Sequence, residues 1–331
     1  MGNQRLSAES GFVIPYVLGV ILVVSLLVLW SANSLRDTQN VFIQLSETSH
    51  DSQSLDAAET RFLQLFLGAT MIRQGLDVSG RPVDETALAL GDPPPEEDLT
   101  PEDIWNARGG LKLFTWQDEK IAAIYQDSDG LLSLNSTDTG YLANWLDSGG
   151  FADAESMAAK FGDYRDDDNI RQFRGAERSE YRLLQRAPPS NSYIRSIAEL
   201  NNVLNWEDFI PTLTLQDLRQ LTLAASSTIP RLAAIPDDLR NRLGLVADDQ
   251  IFLNQEDLND AELFMSNFPS ARSQLTLIRK AGSGSSYRVR IVEIERTGGA
   301  PDRAFTRRIL WEGAAGENDI SETVKQALQT P

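Results

Sequence analysis

The sequence predicts an α+β fold, in which a long amino-terminal helix accompanies an antiparallel sheet that is interrupted by a large α-helical insertion. Three observations predict it: apolar side chains at helical spacing near the amino terminus, strand-like alternation in two distant regions, and short helix signals between those regions. The corresponding segments are 12–76 for the helix, 77–135 for a linker and first hairpin, 136–270 for the insertion, 271–315 for the remaining strands and 316–331 for a carboxy-terminal tail.

The amino-terminal helix is predicted to begin inside a membrane. No charged residue lies between Glu9 and Arg36, and residues 12–30 are almost wholly apolar. A helix needs about 20 apolar residues to cross the hydrocarbon layer, so this stretch is long enough to span it once. The alternative is a secretory signal cleaved near Ser34, but the apolar run exceeds the roughly 7 to 15 residues usual for such signals.

The pattern continues past the membrane as a packing seam. Apolar residues recur at alternating spacings of three and four, which aligns them on one side of a helix. A core helix of a globular domain is favoured over a free coiled coil for this stretch. The seam consists of Leu55, Ala58, Phe62, Leu65, Ala69, Ile72 and Leu76.

The two strand regions are predicted to form one sheet. Residues 111–116 and 120–125 indicate a hairpin, which Leu131, Leu132 and Leu134 extend, and residues 77–103 form a surface linker rich in proline and glycine. The later strands are predicted at 274–279, 286–296 and 303–311. Two independent β units are the alternative, and this is disfavoured because a lone hairpin is only marginally stable in water.

Composition narrows the classes of function. The 331 residues carry a formal net charge of −18, which disfavours nucleic acid as a partner because binding phosphates requires lysine and arginine clusters. The absence of cysteine excludes disulfides, thiol nucleophiles and cysteine-bound metals. His50 is the only histidine, so Ser-His-Asp catalysis would have to use it. We therefore expect a protein that is not an enzyme.

Two acidic clusters are the strongest candidates for a binding site. One contains Asp127 and Asp129 before a glycine, and the other places four carboxylates between Asp163 and Asp168, with Glu177 close behind. Calcium prefers such oxygen-rich loops. Two alternatives remain open: a solvated run of charges, and a hydrolase that uses paired carboxylates on a sugar bond.

The amino terminus resembles the prepilin-type leader of type IV pilins and pseudopilins. In that family a short polar leader ends in glycine, here Gly11, and the mature helix starts at the next residue, here Phe12. The usual glutamate five residues after the glycine is replaced by Tyr16, and its absence is typical of the minor pseudopilin component K of type II secretion systems. Further landmarks of that component are matched in order by residues 127–135, 164–168, 175–177, 180–181 and 196–200.

This resemblance implies a pilin-like domain behind leader residues 1–11, with prepilin peptidase cleavage between Gly11 and Phe12, and methylation. It implies a single-pass protein of the bacterial inner membrane whose carboxy-terminal domain lies in the periplasm, at the tip of the pseudopilus. Its implied partners are components I, J and H and the inner-membrane assembly platform. It also implies a calcium ion, for which the matched acids are Asp127, Asp129, Asp166, Asp168 and Glu177. An unrelated membrane-anchored adaptor is the remaining alternative.

Overall fold

A computed structural model describes residues 13–81, 99–224, 228–245, 268–282, 285–297 and 304–329. The leader with Gly11 and Phe12 lies outside these residues. The helices are α1 (Val13–Gly68), α2 (Thr139–Ser148), α3 (Ala154–Arg165), α4 (Arg178–Leu183), α5 (Leu215–Arg219), α6 (Asp237–Arg242) and α7 (Glu322–Gln329). The strands are β1 (Met71–Ile72), β2 (Gly75–Asp77), β3 (Ile104–Asn106), β4 (Arg108–Trp116), β5 (Glu119–Asp127), β6 (Leu132–Ser133), β7 (Leu221–Thr222), β8 (Arg272–Lys280), β9 (Tyr287–Thr297) and β10 (Ala304–Ala315).

The chain divides into two compact units, residues 1–53 and 54–331. The described part of the first unit is the amino-terminal portion of α1, where the large apolar side chains described between residues 17 and 30 are exposed. Among the described residues, no helix combines the length and the apolarity that crossing a membrane requires.

The main sheet of the second unit is antiparallel and has five strands in the order β10-β9-β8-β5-β4. Its central strand, β8, pairs with β5, so the first hairpin and the last three strands belong to one sheet. The predicted combination of helices with an antiparallel sheet is confirmed. A tight turn joins β4 to β5, and its two residues, Gln117 and Asp118, have φ angles of 47° and 65°, as a type I′ hairpin requires.

The last turns of α1 cover one face of this sheet. Leu55, Ala58, Phe62 and Phe66 are buried there against apolar side chains of β5, β8 and β9. The rings of Phe62 and Phe66 stack at 5.4 Å, and Trp105 meets Phe62 edge-on at 5.3 Å. The four residues are buried in the core of their own unit and are therefore unavailable to a partner helix.

The seam differs from the sequence prediction in its second half. Helix α1 ends at Gly68, so Ala69, Ile72 and Leu76 lie beyond it, the last two in β1 and β2. The prediction placed Leu65 on the buried side of the helix, but Phe66 is buried there and Leu65 is only half-buried. The small sheet β1-β2-β3, which the sequence did not predict, borders the predicted linker on both sides, because β2 ends at Asp77 and β3 begins at Ile104. Gly75 permits this sheet, because a Cβ there would lie 1.9 Å from the carbonyl oxygen of Trp105.

The insertion packs on the opposite face of the main sheet together with α7. Ala122, Ile124, Val289 and Ile291 supply the sheet side of this second core. Residues 131–134 belong here and do not extend the hairpin, because β6 pairs in parallel with β7. The chain turns away after β5 through a 3₁₀ turn, where Gly130 lies so close to Ala234 that a Cβ would be 2.3 Å from its carbonyl oxygen.

Phe62 should be the most sensitive apolar residue of α1. Phe62→Ala removes a fully buried ring from the aromatic cluster, and such truncations cost about 3–5 kcal/mol. Denaturant unfolding of the full chain in detergent, followed by circular dichroism, measures this loss. Gln64→Ala on the exposed side of the same helix turn is the matched control and should stay within about 0.5 kcal/mol. Equal effects of the two changes would contradict the packing described.

Candidate functional site

Three carboxylates meet at the junction between α3 and α4. Asp163 lies in the last turn of α3, Asp166 is the residue that ends it, and Glu177 precedes the first residue of α4. Each offers a carboxylate oxygen, and these oxygens lie within 4.8 Å of one another. Helical spacing explains the first pair, because residues three apart lie on the same side of a helix. The intervening loop then returns Glu177 to them.

Asp163 and Glu177 of this acidic triad are buried, Asp166 is half-buried, and several of their carboxylate oxygens lack a hydrogen-bond donor. Asp163 is fully buried and accepts hydrogen bonds from the backbone N–H of Gln172, at 3.1 and 3.3 Å from its two oxygens, and from the backbone N–H of Ala176. Both Glu177 oxygens and Oδ1 of Asp166 are buried without a hydrogen-bond partner among the described residues. Buried carboxylates are normally satisfied by donors or by a cation.

The electrostatics of the triad match this geometry. Burial raises the pKa of Asp163, Asp166 and Glu177 above the ordinary carboxyl values. Repulsion from nearby carboxylates raises each pKa further: Asp163 and Glu177 are affected by members of the triad and by Asp168, and Asp166 by Asp167 and Asp168. Backbone N–H donation from Gln172 only partly opposes the effect at Asp163. The ionised triad is therefore destabilised in the absence of a counter-charge.

Gly175 keeps the triad compact. A Cβ at this position would lie 2.0 Å from Oδ2 of Asp163, so only glycine allows the loop to approach the carboxylate. Carboxylate oxygens converging at this separation form the donor set that hard divalent cations prefer. The triad fits calcium by the chemistry of its oxygens, and because both oxygens of Glu177 and one oxygen of Asp166 have no hydrogen-bond partner among the described residues.

The structure brings together only part of the calcium set expected from the sequence. Asp166 and Glu177 belong to the triad, and Asp163 joins them although the resemblance did not select it. Asp168 is not part of the triad, and its Oδ1 accepts a hydrogen bond of 2.6 Å from the N–H of Ile170. The sequence feature that could have identified Asp163 is its spacing of three residues from Asp166 at the end of a helix.

Asp127 and Asp129 lie outside the triad. The Asp127 carboxylate is fully buried and is already satisfied: it accepts bonds from the N–H of Asp129 at 3.0 Å and from the N–H and Oγ of Ser270 at 2.8 and 2.6 Å, and it pairs with Arg231. Asp129 lies 3.6 Å from Arg272. The positive charge that neutralises Asp127 is therefore the guanidinium group of Arg231.

The other landmark of this stretch, Asn135, also has a structural role. Its side-chain oxygen accepts a 2.7 Å bond from the N–H of Ile194, and its side-chain nitrogen donates to the carbonyls of Ile194 and Leu223 at 3.0 and 3.1 Å. Asn135 thereby joins three segments of the insertion.

The fold of this chain is similar to that of a protein of known structure. No protein-family model and no curated protein matches the sequence. The fold is similar to a chain in the crystal structure of the GspK-GspI-GspJ complex from the enterotoxigenic Escherichia coli Type 2 Secretion System. The match covers 82% of this chain and 99% of that chain, with 15% sequence identity and a TM-score of 0.46.

Asp127 should be essential for stability rather than for binding. Asp127→Asn leaves Arg231 without its counter-charge, and we expect a loss of about 2–3 kcal/mol. This is below the roughly 3–5 kcal/mol of a fully buried pair because Arg231 is 20% exposed. Denaturant unfolding of the full chain measures it, and Asp147→Asn on an exposed helix position is the control. A loss no larger than that of the control would refute this role.

Proposed function

We propose that this protein is a minor pseudopilin of a type II secretion system, of the component K kind, and that it helps to initiate the periplasmic fibre through which folded proteins are exported. The observation that carries the proposal is the position of the family landmarks. Residues 127–135, 164–168, 175–177 and 196–200 follow in the expected order, and each belongs to the helical insertion or to its junction with the sheet.

The remainder of the second unit supports a pilin-like arrangement. The last turns of α1 lie on one face of an antiparallel sheet and the insertion lies on the other. A helical fibre needs complementary surfaces at both ends of each subunit. An insertion of this size obstructs one of them, so we propose that the protein occupies the tip and ends the fibre there.

The amino terminus would anchor the protein in the inner membrane with its carboxy-terminal domain in the periplasm. The apolar residues 12–30 support a single span after cleavage at Gly11 and methylation. Tyr16 supports the tip position, because an unpaired carboxylate in the membrane costs several kcal/mol and a tip subunit has no neighbour above it. Components I, J and H and the assembly platform are the proposed partners.

We further propose that Asp163, Asp166 and Glu177 hold calcium in the folded protein. The ion would supply the positive charge that the triad lacks, and would tie the end of α3 to the start of α4. Helix α4 has only six residues and cannot be stable by itself, so its position depends on such attachments. The proposed role of calcium is structural.

Calcium should raise the stability of the full chain. Binding at a concentration about 100 times the dissociation constant stabilises by about 2.7 kcal/mol, which differential scanning calorimetry with calcium and with a chelator would detect. Glu177→Gln should abolish the calcium-dependent shift, whereas Glu155→Gln, at an exposed residue of α3, should retain it. Because the pKa of each triad carboxyl is raised, protons should displace calcium at a pH above the ordinary values of 3.8 and 4.5. No shift in the unaltered chain would refute the calcium site.

The decisive test of the main proposal is the intact mass of the protein recovered from membranes of cells with and without prepilin peptidase. We expect a chain that begins at Phe12, present only when the peptidase is present. Gly11→Leu should block this cleavage, while Gly19→Leu within the apolar stretch should not. A chain that keeps Met1 would favour the adaptor, and one cut near Ser34 would indicate a secreted protein; either result would refute the proposal.

A further inference from the structure

Two buried polar side chains of the main sheet hold strand β7 of the insertion. Oε1 of Glu293, on β9, accepts bonds from the hydroxyl of Thr222 at 2.5 Å and from the N–H of Leu223 at 2.7 Å. Nε2 of Gln274, on β8, donates to the carbonyl of Leu221 at 2.7 Å. Gln274 and Glu293 are 0% and 3% exposed. Because β7 pairs with β6, this Gln274–Glu293 pair attaches both short strands to the main sheet.

The second oxygen of each side chain has no donor. Oε2 of Glu293 and Oε1 of Gln274 are both buried without a hydrogen-bond partner among the described residues. The two residues lie directly opposite each other on β9 and β8, where cross-strand Cβ atoms are about 4.5–5.5 Å apart. An ionised carboxylate only accepts hydrogen bonds, whereas a protonated one also has an O–H to donate. One proton on Glu293 would therefore supply the donor that both side chains lack.

The charges around Glu293 do not provide a bonded counter-charge. Nη1 of Arg308, opposite Glu293 on β10, lies 4.0 Å from Oε2, beyond hydrogen-bond distance, and the Arg308 side chain is 51% exposed. Strand β5 presents the neutral Gln126, and residues 221–224 carry no titratable side chain. The other charges near it on this face of the sheet are paired with one another: Arg272 with Glu295 at 3.0 Å and with Asp129 at 3.6 Å.

We propose that Glu293 is a carboxylic acid in the folded protein, that its Oε2–H donates to Oε1 of Gln274, and that this proton makes the attachment of the insertion to the sheet dependent on pH. A bound cation could also lie between the two oxygens, but the nearby guanidinium of Arg308 opposes it. The inference goes beyond the proposed function and does not depend on it, because neither residue belongs to the acidic triad or to the leader.

The direction of the pH dependence follows from the burial of Glu293. Burial raises the pKa of this carboxyl, and the bonds from Thr222 and Leu223 and the charge of Arg308 only partly oppose the rise. The protonated form therefore contributes its full stability below the ordinary value of 4.5, and this stability is lost as the pH rises through the raised pKa. In that interval, opening of residues 221–224 should become up to about tenfold more favourable per pH unit. Acid should strengthen this contact, whereas it should displace calcium from the triad.

The test compares Glu293→Gln with the unaltered full chain in detergent. The amide copies the protonated acid, because its oxygen can accept the bonds from Thr222 and Leu223 and its nitrogen can donate to Gln274. Differential scanning calorimetry between about pH 4 and about pH 9 measures the two unfolding temperatures. We expect them to agree at the acid end and the variant to unfold at least about 2 °C higher at neutral and alkaline pH.

Glu295→Gln is the matched control on the same strand. This change removes a carboxylate that is paired with Arg272, so the variant should not unfold above the unaltered chain at any pH. Comparing each variant with the unaltered chain at the same pH cancels the titration of all other acids. Infrared spectroscopy at neutral pH should in addition show the C=O band of a protonated carboxyl that is missing from Glu293→Gln and present in Glu295→Gln.

Hydrogen exchange on the unaltered chain gives a second test that needs no variant. After correction for the intrinsic exchange rate, protection of the Leu223 N–H should fall by up to about tenfold per pH unit above 4.5 and then level off. The N–H of Leu277, in the middle of β8, should keep its protection over the same range. If Glu293→Gln does not fold, this measurement decides.

Three outcomes would overturn the inference. One is a lower unfolding temperature of Glu293→Gln at neutral pH, which would show an ionised carboxylate paired with Arg308 or with another cation. The others are equal unfolding temperatures at every pH, and protection of Leu223 that does not change with pH. None of these readouts requires cleavage at Gly11 or bound calcium, so they leave the proposed function to its own tests.

Discussion

The fold of the second unit depends on the carboxylate of Asp127. It lies at the end of β5, where the chain leaves the sheet, and accepts two bonds from Ser270, where the chain returns 143 residues later. Arg231 contributes the counter-charge from within the insertion. Burial raises the pKa of Asp127, and Arg231 and Ser270 oppose that rise. One charged group therefore fixes both boundaries of the insertion to the central strands, and the pairing of β5 with β8 starts directly beside it.

A second buried charge orients α1 on the same sheet. Glu59 accepts bonds from Arg290 of β9 at 3.3 Å and from Arg307 of β10 at 2.8 Å. Apolar packing attracts a helix to a sheet without fixing its rotation, whereas an ion pair of this kind loses most of its value when the helix turns or slides. The aromatic cluster and Glu59 act together: the first supplies most of the burial, and the second defines which residues are buried.

The regular strands could be predicted from the sequence because their side chains alternate, and alternation is a local property. The carboxy-terminal end of helix α1 could not be predicted in this way. Ile72 and Leu76 continue the seam numerically, yet they are buried as strand residues on either side of a tight turn. Spacings of three and four cannot distinguish one more helical turn from two short strands with the same residues buried. The strand β6 escaped prediction for a related reason, since its partner β7 lies about 90 residues away and both strands have only two residues.

The candidate calcium-binding acids show the same limit of prediction from local sequence even more clearly. Asp127 and Asp166 are the same residue type, and each lies in an acidic stretch that the sequence singles out as a candidate cation site. What distinguishes them is the supply of donors, because Ser270 and Arg231 satisfy Asp127, whereas one oxygen of Asp166 and both oxygens of Glu177 have no hydrogen-bond partner among the described residues. A buried carboxylate without donors is costly, and such a cost persists in a fold when a ligand removes it. Because the same three residues join the end of α3 to the start of α4, whatever neutralises them also stabilises the loop between these two helices. The charge state of the triad and the position of the short helix α4 are consequently coupled.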